Sequence, residues 1–510
     1  MDPRSIRWHA SEDDGGAIEA ALDASLVVER GQRRQQTLEL FESFDRGLLR
    51  AGRALVRERG IFHVVDANDL RSGAVEGGRL AHPRPVFWWD FEPSPFQQLL
   101  RGCLGLRAAT ALAVVELHGQ ELRVRNADGK IVVRLWKETA TVDGRVIARS
   151  LILAPLVGYA QEAGEVAAAL SAGSTFREAQ DPLAWLALGA VGEAWLPLSS
   201  KPALDLDPQE TSQAAVTRIA QCLLRAARQN EPGILADIDT EFLHDYRVAL
   251  RQLRSLLKLI RGVYPADDTR RLRGAFGELA SATNRLRDLD VHLLDAPDAR
   301  ALLPPSLRSG LDRLFADLRS ERGLALRRLR RTLRSQSYQA ALERHAAWLD
   351  APSPPAGPRA DTPIGVVASR EIRRHHRKVV RSARAITPTT PPEAVHALRI
   401  ECKRLRYLFE LFASLFPRRE TRRMVRKLKQ VQDILGRFND CSVQQEFMRT
   451  YLASAPDLDA STSAAVGGLM SVLYRSQLEA RHELDTRISE LARTRWQIEA
   501  PPASPSAETP

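Results

Sequence analysis

The chain has 510 residues, 44% of them hydrophobic and 27% charged, and a formal net charge of +11. These proportions are typical of folded globular domains and exclude a largely disordered chain. No apolar stretch reaches the length of a membrane span and the first residues lack the apolar core of a signal peptide, so we expect a cytoplasmic protein with no membrane partner. The four cysteines are widely separated and form no C-x-x-C pair, so we expect no disulfide framework, bound metal or cofactor.

The positive charge is concentrated in the second part of the chain. Residues 1–204 contain 24 Lys and Arg against 26 Asp and Glu, a net charge of −2. Residues 205–510 contain 50 against 37, a net charge of +13. A charge of this size predicts an anionic partner such as nucleic acid, a phosphate polymer or acidic lipid.

Residues 1–200 are predicted to form an α+β domain with a mostly antiparallel sheet. Asp128-Gly129 and Asp143-Gly144 are typical of hairpin turns. Helices are predicted at 45–54, 94–109 and 159–171. Short apolar alternations predict strands at 25–30, 37–44, 53–59, 61–66, 87–92, 111–125, 130–136 and 145–153.

From residue 210 onward the pattern is helical almost throughout. The segment 196–210, which contains Pro and Asp, separates this region from the first domain. The Pro-rich linker 351–358 divides it into halves at 210–350 and 360–500, each predicted to be a bundle of about four helices. The Pro- and Ser-rich tail, residues 501–510, is predicted to be disordered.

The two halves follow one sequence pattern. A shift of 152 residues aligns 244–291 with 396–443 without a gap, and 13 of the 48 aligned positions are identical. The Leu and Arg bias of the region does not explain a shared histidine, proline and aspartate in one register. We therefore predict an internal duplication that gives two pseudo-symmetric four-helix bundles.

One helix face in each half carries positive charges almost exclusively. Steps of three and four residues place the members side by side, and they are His244, Arg247, Arg251 and Arg254 in the first copy and His396, Arg399, Lys403 and Arg406 in the second. Neighbouring segments add Arg373, Arg377 and Arg381 before the second copy, and Arg270, Arg271, Arg422 and Arg423 after the two copies. A solvated helix face normally mixes both signs, so the pattern favours a groove that binds a polyanion.

Other interpretations of these residues remain open. The whole face can be an ordinary solvated surface. Each histidine can donate to a phosphate oxygen or can pack between helices with a carbonyl partner. Asp288 and Asp440 occupy matching places in the two copies, where each can be a buried partner that orients arginines or can help to hold a metal ion.

The duplicated H-x-x-R-x-x-x-[RK]-x-x-R helix, followed by R-x-x-D in the first half and LGRFND in the second, resembles the conserved-histidine α-helical domain, CHAD. The resemblance covers roughly residues 210–500. It implies two pseudo-symmetric four-helix bundles with a basic surface or pore that binds inorganic polyphosphate, and an association with polyphosphate granules. The family's histidine and basic positions correspond to the eight residues given above for the two helices.

Residues 41–60, FESFDRGLLRAGRALVRERG, are similar to a stretch of the CYTH domain, the triphosphate-tunnel fold that often precedes CHAD. The expected E-x-E-x-K is absent from residues 4–8, and SLILA at 150–154 stands where a paired acidic strand is expected. In that family those carboxylates hold the metal that activates triphosphate hydrolysis. We therefore predict a degenerate CYTH-like domain, an antiparallel barrel or tunnel with no catalytic residues. Six basic residues can still cradle phosphate there or can face outward: Arg57, Arg59, Arg123, Arg125, Arg134 and Lys137.

The leading hypothesis is non-enzymatic binding of inorganic polyphosphate. A triphosphatase acting through the first domain is the alternative, and the missing carboxylates argue against it. Nucleic-acid binding is a second alternative, but no helix-turn-helix, zinc-finger or stacking-aromatic pattern supports it. Phosphotransfer through His244 has the least support, because Ala397 follows His396 where Asp245 follows His244, and no nucleotide-binding glycine motif is present.

Overall fold

The chain forms two structural units, divided in sequence between Pro197 and Leu198. The computed structural model describes residues 6–10, 16–22, 25–71, 73–80, 85–172, 175–193, 197–198, 202, 204–352, 354–387, 390–454 and 457–493. The tail predicted to be disordered, residues 501–510, lies outside this set.

The first unit is an antiparallel sheet with short helices. Its strands are β1 (Ile6–His9), β2 (Val27–Ser43), β3 (Arg53–Glu58), β4 (Ile61–Asp66), β5 (Val75–Arg79), β6 (Ala109–Arg125), β7 (Ile131–Val142), β8 (Arg145–Pro155) and β9 (Arg177–Glu178). Its helices are α1 (Ala17–Ala21), α2 (Gly47–Arg50), α3 (Pro95–Leu104), α4 (Ala160–Ala172) and α5 (Leu183–Ala190). The strands pair in the order β5-β4-β3-β2-β6-β7-β8-β1-β9.

Helices cover both faces of this sheet. Leu40 of β2 is buried in an apolar cluster with Leu183 and Leu188 of α5. Its neighbour Phe41 points to the opposite face, as the two-residue period of a strand requires, and packs in a cluster with Phe96 of α3. Further along that opposite face, α1 and α4 pack around Trp8. The predicted α+β class with an antiparallel sheet is confirmed, and the unit is consistent with a CYTH-like tunnel fold.

Both predicted hairpin turns are present. β6 and β7 are joined by residues 126–130, in which Gly129 has a φ of 70°. β7 and β8 are joined by Asp143 and Gly144 alone, with φ values of 48° and 73°. Two successive positive φ angles match the twist of antiparallel strands, which is why Asp-Gly predicted the turn.

Some local predictions for this unit were wrong. Residues 87–92 were predicted to be a strand because they are aromatic, but Trp88–Asp90 form a 3₁₀ turn. The Asp90 carboxylate accepts a hydrogen bond of 2.9 Å from the Phe87 backbone N–H and closes this turn locally. The predicted helix at 45–54 is only the short α2, because Gly52, with a φ of 69°, turns the chain into β3.

The second unit is helical. Its helices are α6 (Ser212–Arg228), α7 (Glu231–Ala236), α8 (Thr240–Leu259), α9 (Ala266–Ala282), α10 (Asn284–Leu294), α11 (Ala296–Ala301), α12 (Pro305–Arg308), α13 (Leu311–Arg334), α14 (Gln336–Leu349), α15 (Ile364–Arg384), α16 (Pro392–Leu411), α17 (Arg418–Ser454) and α18 (Ala460–Arg493). None of the helices among the described residues combines the length and apolar content needed to cross a bilayer.

The helices of the two halves begin at matching positions. Helices α6, α8 and α9 begin at residues 212, 240 and 266, and α15, α16 and α17 begin at residues 364, 392 and 418. Each pair is separated by the same 152 residues, the shift found in the sequence. The copies differ downstream, where α9 and α10 are separate helices in the first half and α17 is one continuous helix of 37 residues in the second.

Backbone hydrogen bonds show that the halves are related by a pseudo-two-fold axis. The Ser212 N–H donates to the Thr362 carbonyl at 2.9 Å, and the Ile364 N–H donates to the Glu210 carbonyl at 2.9 Å. The second bond is the first one with each residue replaced by its equivalent 152 positions away. When two copies are related by a two-fold axis, each contact from the first copy to the second is matched by the same contact from the second copy to the first.

Candidate anion-binding site

The two helices with the basic faces, α8 and α16, contact each other. Because these helices are equivalent under the pseudo-two-fold relation, equivalent residues approach across the contact. Arg251 of α8 lies close enough to its counterpart, Lys403 of α16, for the two positive charges to repel. Near the end of α8, burial and the charge of Arg404 of α16 lower the pKa of Lys258, and Glu401 of α16 opposes this change. The duplicated face is therefore one cationic surface formed by both halves.

Lys403 is the most perturbed of the predicted site residues. Its side chain is half-buried, and burial, followed by the charges of Arg399 and Arg251, lowers the pKa of its ammonium group to about 8. Asp440 opposes this change without cancelling it. An ordinary lysine titrates near pH 10.4, so the lowered pKa reflects first the burial of this ammonium group and then neighbouring positive charge that Asp440 does not neutralise.

The second-half histidine is held by an amide from the next helix. The distance from His396 Nδ1 to Asn439 Oδ1 is 2.7 Å. A bond to an amide oxygen requires the proton on Nδ1, which directs Nε2 of the exposed ring away from this partner. Nε2 can then accept a hydrogen bond when the ring is neutral and can donate one to an anion when the ring is protonated.

The neighbouring arginines of α16 are only partly engaged by the protein. Arg399 Nη2 donates to Asp440 Oδ1 at 3.3 Å, while its buried Nε has no protein partner. Arg406 Nη1 lies 3.8 Å from Glu410 Oε1, and its Nε is also buried and unbonded. Unbonded buried guanidinium N–H groups carry a desolvation cost, and both guanidinium groups are therefore incompletely satisfied by the protein.

The first copy uses its equivalent arginine differently. Arg247 Nη1 donates to the Ala280 carbonyl at 3.1 Å, to Thr283 Oγ1 at 2.5 Å and to Asn284 Oδ1 at 2.8 Å. These acceptors lie at the break between α9 and α10, which does not exist in the continuous α17. Burial lowers the pKa of Arg247, and nearby Asp288 opposes that change. Arg247 therefore fixes a helix junction, whereas its counterpart in the second half has N–H capacity left for a ligand.

Most of the other predicted residues lie on helices that contact α8 or α16. Arg270 and Arg271, at the start of α9, are each paired at 2.8 Å with a carboxylate of their own helix, Asp267 and Asp268. Arg254 lies along α9, with its guanidinium beside Gly277. The others are exposed side chains on α15 (Arg373, Arg377 and Arg381) and at the start of α17 (Arg422 and Arg423).

Sequence reasoning did not find the pair that joins α15 to α16. His375 Nδ1 lies 3.1 Å from Glu401 Oε2, and Arg404 also pairs with Glu401. These partners, with the hydrogen bond to His375 contributing most, lower the pKa of the Glu401 carboxyl to about 2. The position of Glu401 between the basic residues Arg399 and Lys403 was the available signal, but its partner is 26 residues away in sequence.

Asp288 and Asp440, which were expected to be buried partners of arginines, are both exposed. Asp440 does contact Arg399, but 63% of its side chain is exposed, so it is not a buried partner. Asp288 is also exposed, although partial desolvation by its surroundings raises the pKa of its carboxyl despite the nearby Arg247. Within the described parts of the chain, no group of three or more His, Cys, Asp or Glu side chains is placed to hold a metal ion.

In the first unit, the two segments expected to carry catalytic carboxylates lie next to each other in the sheet. β1 pairs with β8, and Arg7 Nη1 donates to Ser150 Oγ at 3.2 Å where the CYTH resemblance would place acidic residues. The basic residues considered as a phosphate cradle include four with carboxylate partners, one of which is Arg134, 3.4 Å from Glu121. Arg57, Arg123 and Arg125 pair at 2.5, 2.9 and 2.7 Å with Glu39, Glu121 and Glu29, respectively.

Comparisons with known proteins relate the helical unit to one family. The family model of the CHAD domain matches residues 217–449. A crystal structure of the CHAD domain from the plant Ricinus communis is 24% identical, covers 58% of this chain and 96% of that chain, and superposes with a TM-score of 0.49. PptA from Streptomyces chartreusis is 16% identical, covers 55% of this chain and 99% of that chain, and gives a TM-score of 0.44.

No curated protein matches the chain. CHAD is not a known catalytic family. The family-model match covers the duplicated helices α8 and α16 and most of α17, which carry the cationic surface described above. Residues 217–449, which make up most of the helical unit, thus match the CHAD domain family.

Proposed function

We propose that the helical unit binds inorganic polyphosphate, without catalysis, on the surface formed by α8 and α16. The observation that carries this proposal is the environment of Lys403. Burial, followed by the charges of Arg399 and of Arg251, the residue equivalent to Lys403 in the first half, lowers the pKa of this half-buried ammonium group to about 8. Repulsion of this kind costs folding free energy, and a bound anion would remove the cost.

A phosphate chain suits the surface better than an isolated anion. Equivalent cations of α8 and α16 approach each other across the pseudo-two-fold axis, so a linear polymer of repeating charges can contact both copies at once. Each contact supplies charge-assisted hydrogen bonds from Arg and releases counterions condensed on the polymer. The exposed arginines of α15 and α17 would extend the path of the chain. We further propose that the protein is cytoplasmic and associates with polyphosphate granules.

The test is a calorimetric titration of the full chain with long-chain polyphosphate at several salt concentrations. The variant Arg399→Gln/Lys403→Gln/Arg406→Gln removes three charges while keeping the apolar side-chain stems. We expect much weaker binding and a salt dependence, as a log–log slope, that is smaller by about 2.

A matched control removes three charges from other sites. Arg313, Arg437 and Arg449 are exposed, and each is paired with a carboxylate. The variant Arg313→Gln/Arg437→Gln/Arg449→Gln should bind nearly as the wild type does. Equal losses in the two triple variants would mean that net charge alone attracts the polymer, and would refute a defined site. Duplex DNA that competes as well as polyphosphate, at equal phosphate concentration, would count in the same way against the proposed ligand.

A further inference from the structure

A cavity of about 190 Å³ lies between the two halves of the helical unit. It is bounded by α10, α11 and α13 of the first half and by α17 and α18 of the second. The apolar floor consists of five buried side chains: Phe315, Leu318, Met448, Leu469 and Leu473. The rim is polar and includes His292, Asp295, Asp298 and Gln444. An apolar floor below a rim with two carboxylates is the composition of a small-molecule site.

The rim lies where the pseudo-two-fold relation brings equivalent residues together, and the copies have diverged there. His292 stacks on Phe447 with ring centroids 4.0 Å apart. The equivalent contact, with each residue replaced by its counterpart, is the hydrogen bond of 3.2 Å from Gln444 Nε2 to Asp295 Oδ2. Asp298 is likewise replaced by Thr450 in the second half. Both rim carboxylates therefore come from the first half, and neither has an acidic equivalent in the second half.

The charge of the rim is negative although the chain is strongly basic. Burial and the charges of Asp298 and Asp440 raise the pKa of the Asp295 carboxyl, with Arg287 as the opposing cation. Burial and the nearby Arg285 lower the pKa of His292 to about 4, so this ring is neutral at physiological pH. The carboxylates repel each other and gain no cation from the imidazole. A bound cation would relieve this repulsion.

We propose that this cavity binds a small organic cation, a primary ammonium group on a short apolar body. The ammonium group would lie at the rim with Asp295 and Asp298, and the apolar body would lie on the floor formed by Phe315 and Met448. An apolar cavity of about 150 Å³ accommodates benzene, so this cavity has room for a six-membered ring with one or two further atoms. An anion would face two carboxylates, and a neutral ligand would leave them uncompensated.

The probe is benzylamine, which is protonated at neutral pH, and its neutral isostere is benzyl alcohol. Titration of the full chain, followed by ligand-observed NMR and calorimetry, should give saturable binding of benzylamine. We expect benzyl alcohol to bind at least about tenfold more weakly, which corresponds to about 1.4 kcal/mol. The result does not depend on whether the cationic surface binds polyphosphate.

Two variants locate the site. Asp298 is exposed, so Asp298→Asn should fold normally and should reduce the preference for benzylamine over benzyl alcohol several-fold. Asp267→Asn is the matched control, because Asp267 is exposed and pairs with an arginine, Arg270, but does not line the cavity. The proposal is overturned if benzylamine shows no saturable binding, if the alcohol binds equally well, or if the two variants have the same effect.

Discussion

Lys403 should make the binding of a phosphate chain depend on pH above neutrality. In the free protein its pKa is lowered to about 8, so the side chain loses its proton as the pH rises through that value. A bound polyanion favours the charged form and raises the pKa toward the ordinary value of about 10.4. Binding therefore takes up a proton between about pH 8 and pH 10, and affinity falls as the pH rises through this window.

The structure sets the size of this effect. Restoring the pKa of Lys403 completely would be worth about 3 kcal/mol, because one pKa unit corresponds to 1.36 kcal/mol. The side chain is only half-buried, so solvent screens part of this energy. We expect binding at pH 10 to be about ten- to a hundredfold weaker than at pH 7, and Lys403 itself should contribute little further change below pH 7.

Calorimetry at pH 9 in two buffers with different heats of ionisation measures the proton uptake directly. Wild-type protein should take up a large fraction of one proton for each bound site. The control is Lys403→Arg, which introduces the residue that the first half has at the equivalent position, Arg251. This variant should still bind but should take up no proton at pH 9. Equal proton uptake by the two proteins, or none by the wild type, would refute the role assigned to Lys403.

Three further substitutions test ligand binding and helix packing. Asp440→Asn should strengthen polyphosphate binding at low salt by a few-fold, because the exposed carboxylate competes for Arg399; weaker binding in the titration would show that Asp440 instead holds this arginine in place. Gly310→Ala should lower the free energy of unfolding by about 1–3 kcal/mol in denaturant melts, because its methyl group would overlap the Ser461 carbonyl oxygen. Gly323→Ala, in the interior of α13 with room for a methyl group, should instead raise the free energy of unfolding by about 0.5–1 kcal/mol, and equal effects of the two changes would contradict the packing described here.

The predictions that succeeded concern local geometry or repetition. Residues three and four apart must share a helix face, so the basic faces of α8 and α16 followed from spacing alone. Asp143-Gly144 predicted its turn because the two residues tolerate positive φ angles. The shift of 152 residues predicted where the helices of the second half begin, because two copies of one sequence fold in the same way. The strand prediction at 87–92 was wrong, because the Phe87 N–H donates a hydrogen bond to the Asp90 carboxylate and closes a local turn.

The sequence by itself thus determined the helical duplication, the sign and position of the charged face, and the absence of carboxylates from β1 and β8. Only the tertiary structure decided which side chains and backbone groups contact those charged residues. It assigns Arg247 to a helix junction, leaves Arg399 partly unbonded, and places Lys403 opposite its own counterpart in the first half. The physical reason is that a side chain's partner depends on which helices are adjacent in space. That adjacency is set by the packing of entire apolar faces, which no short stretch of sequence specifies.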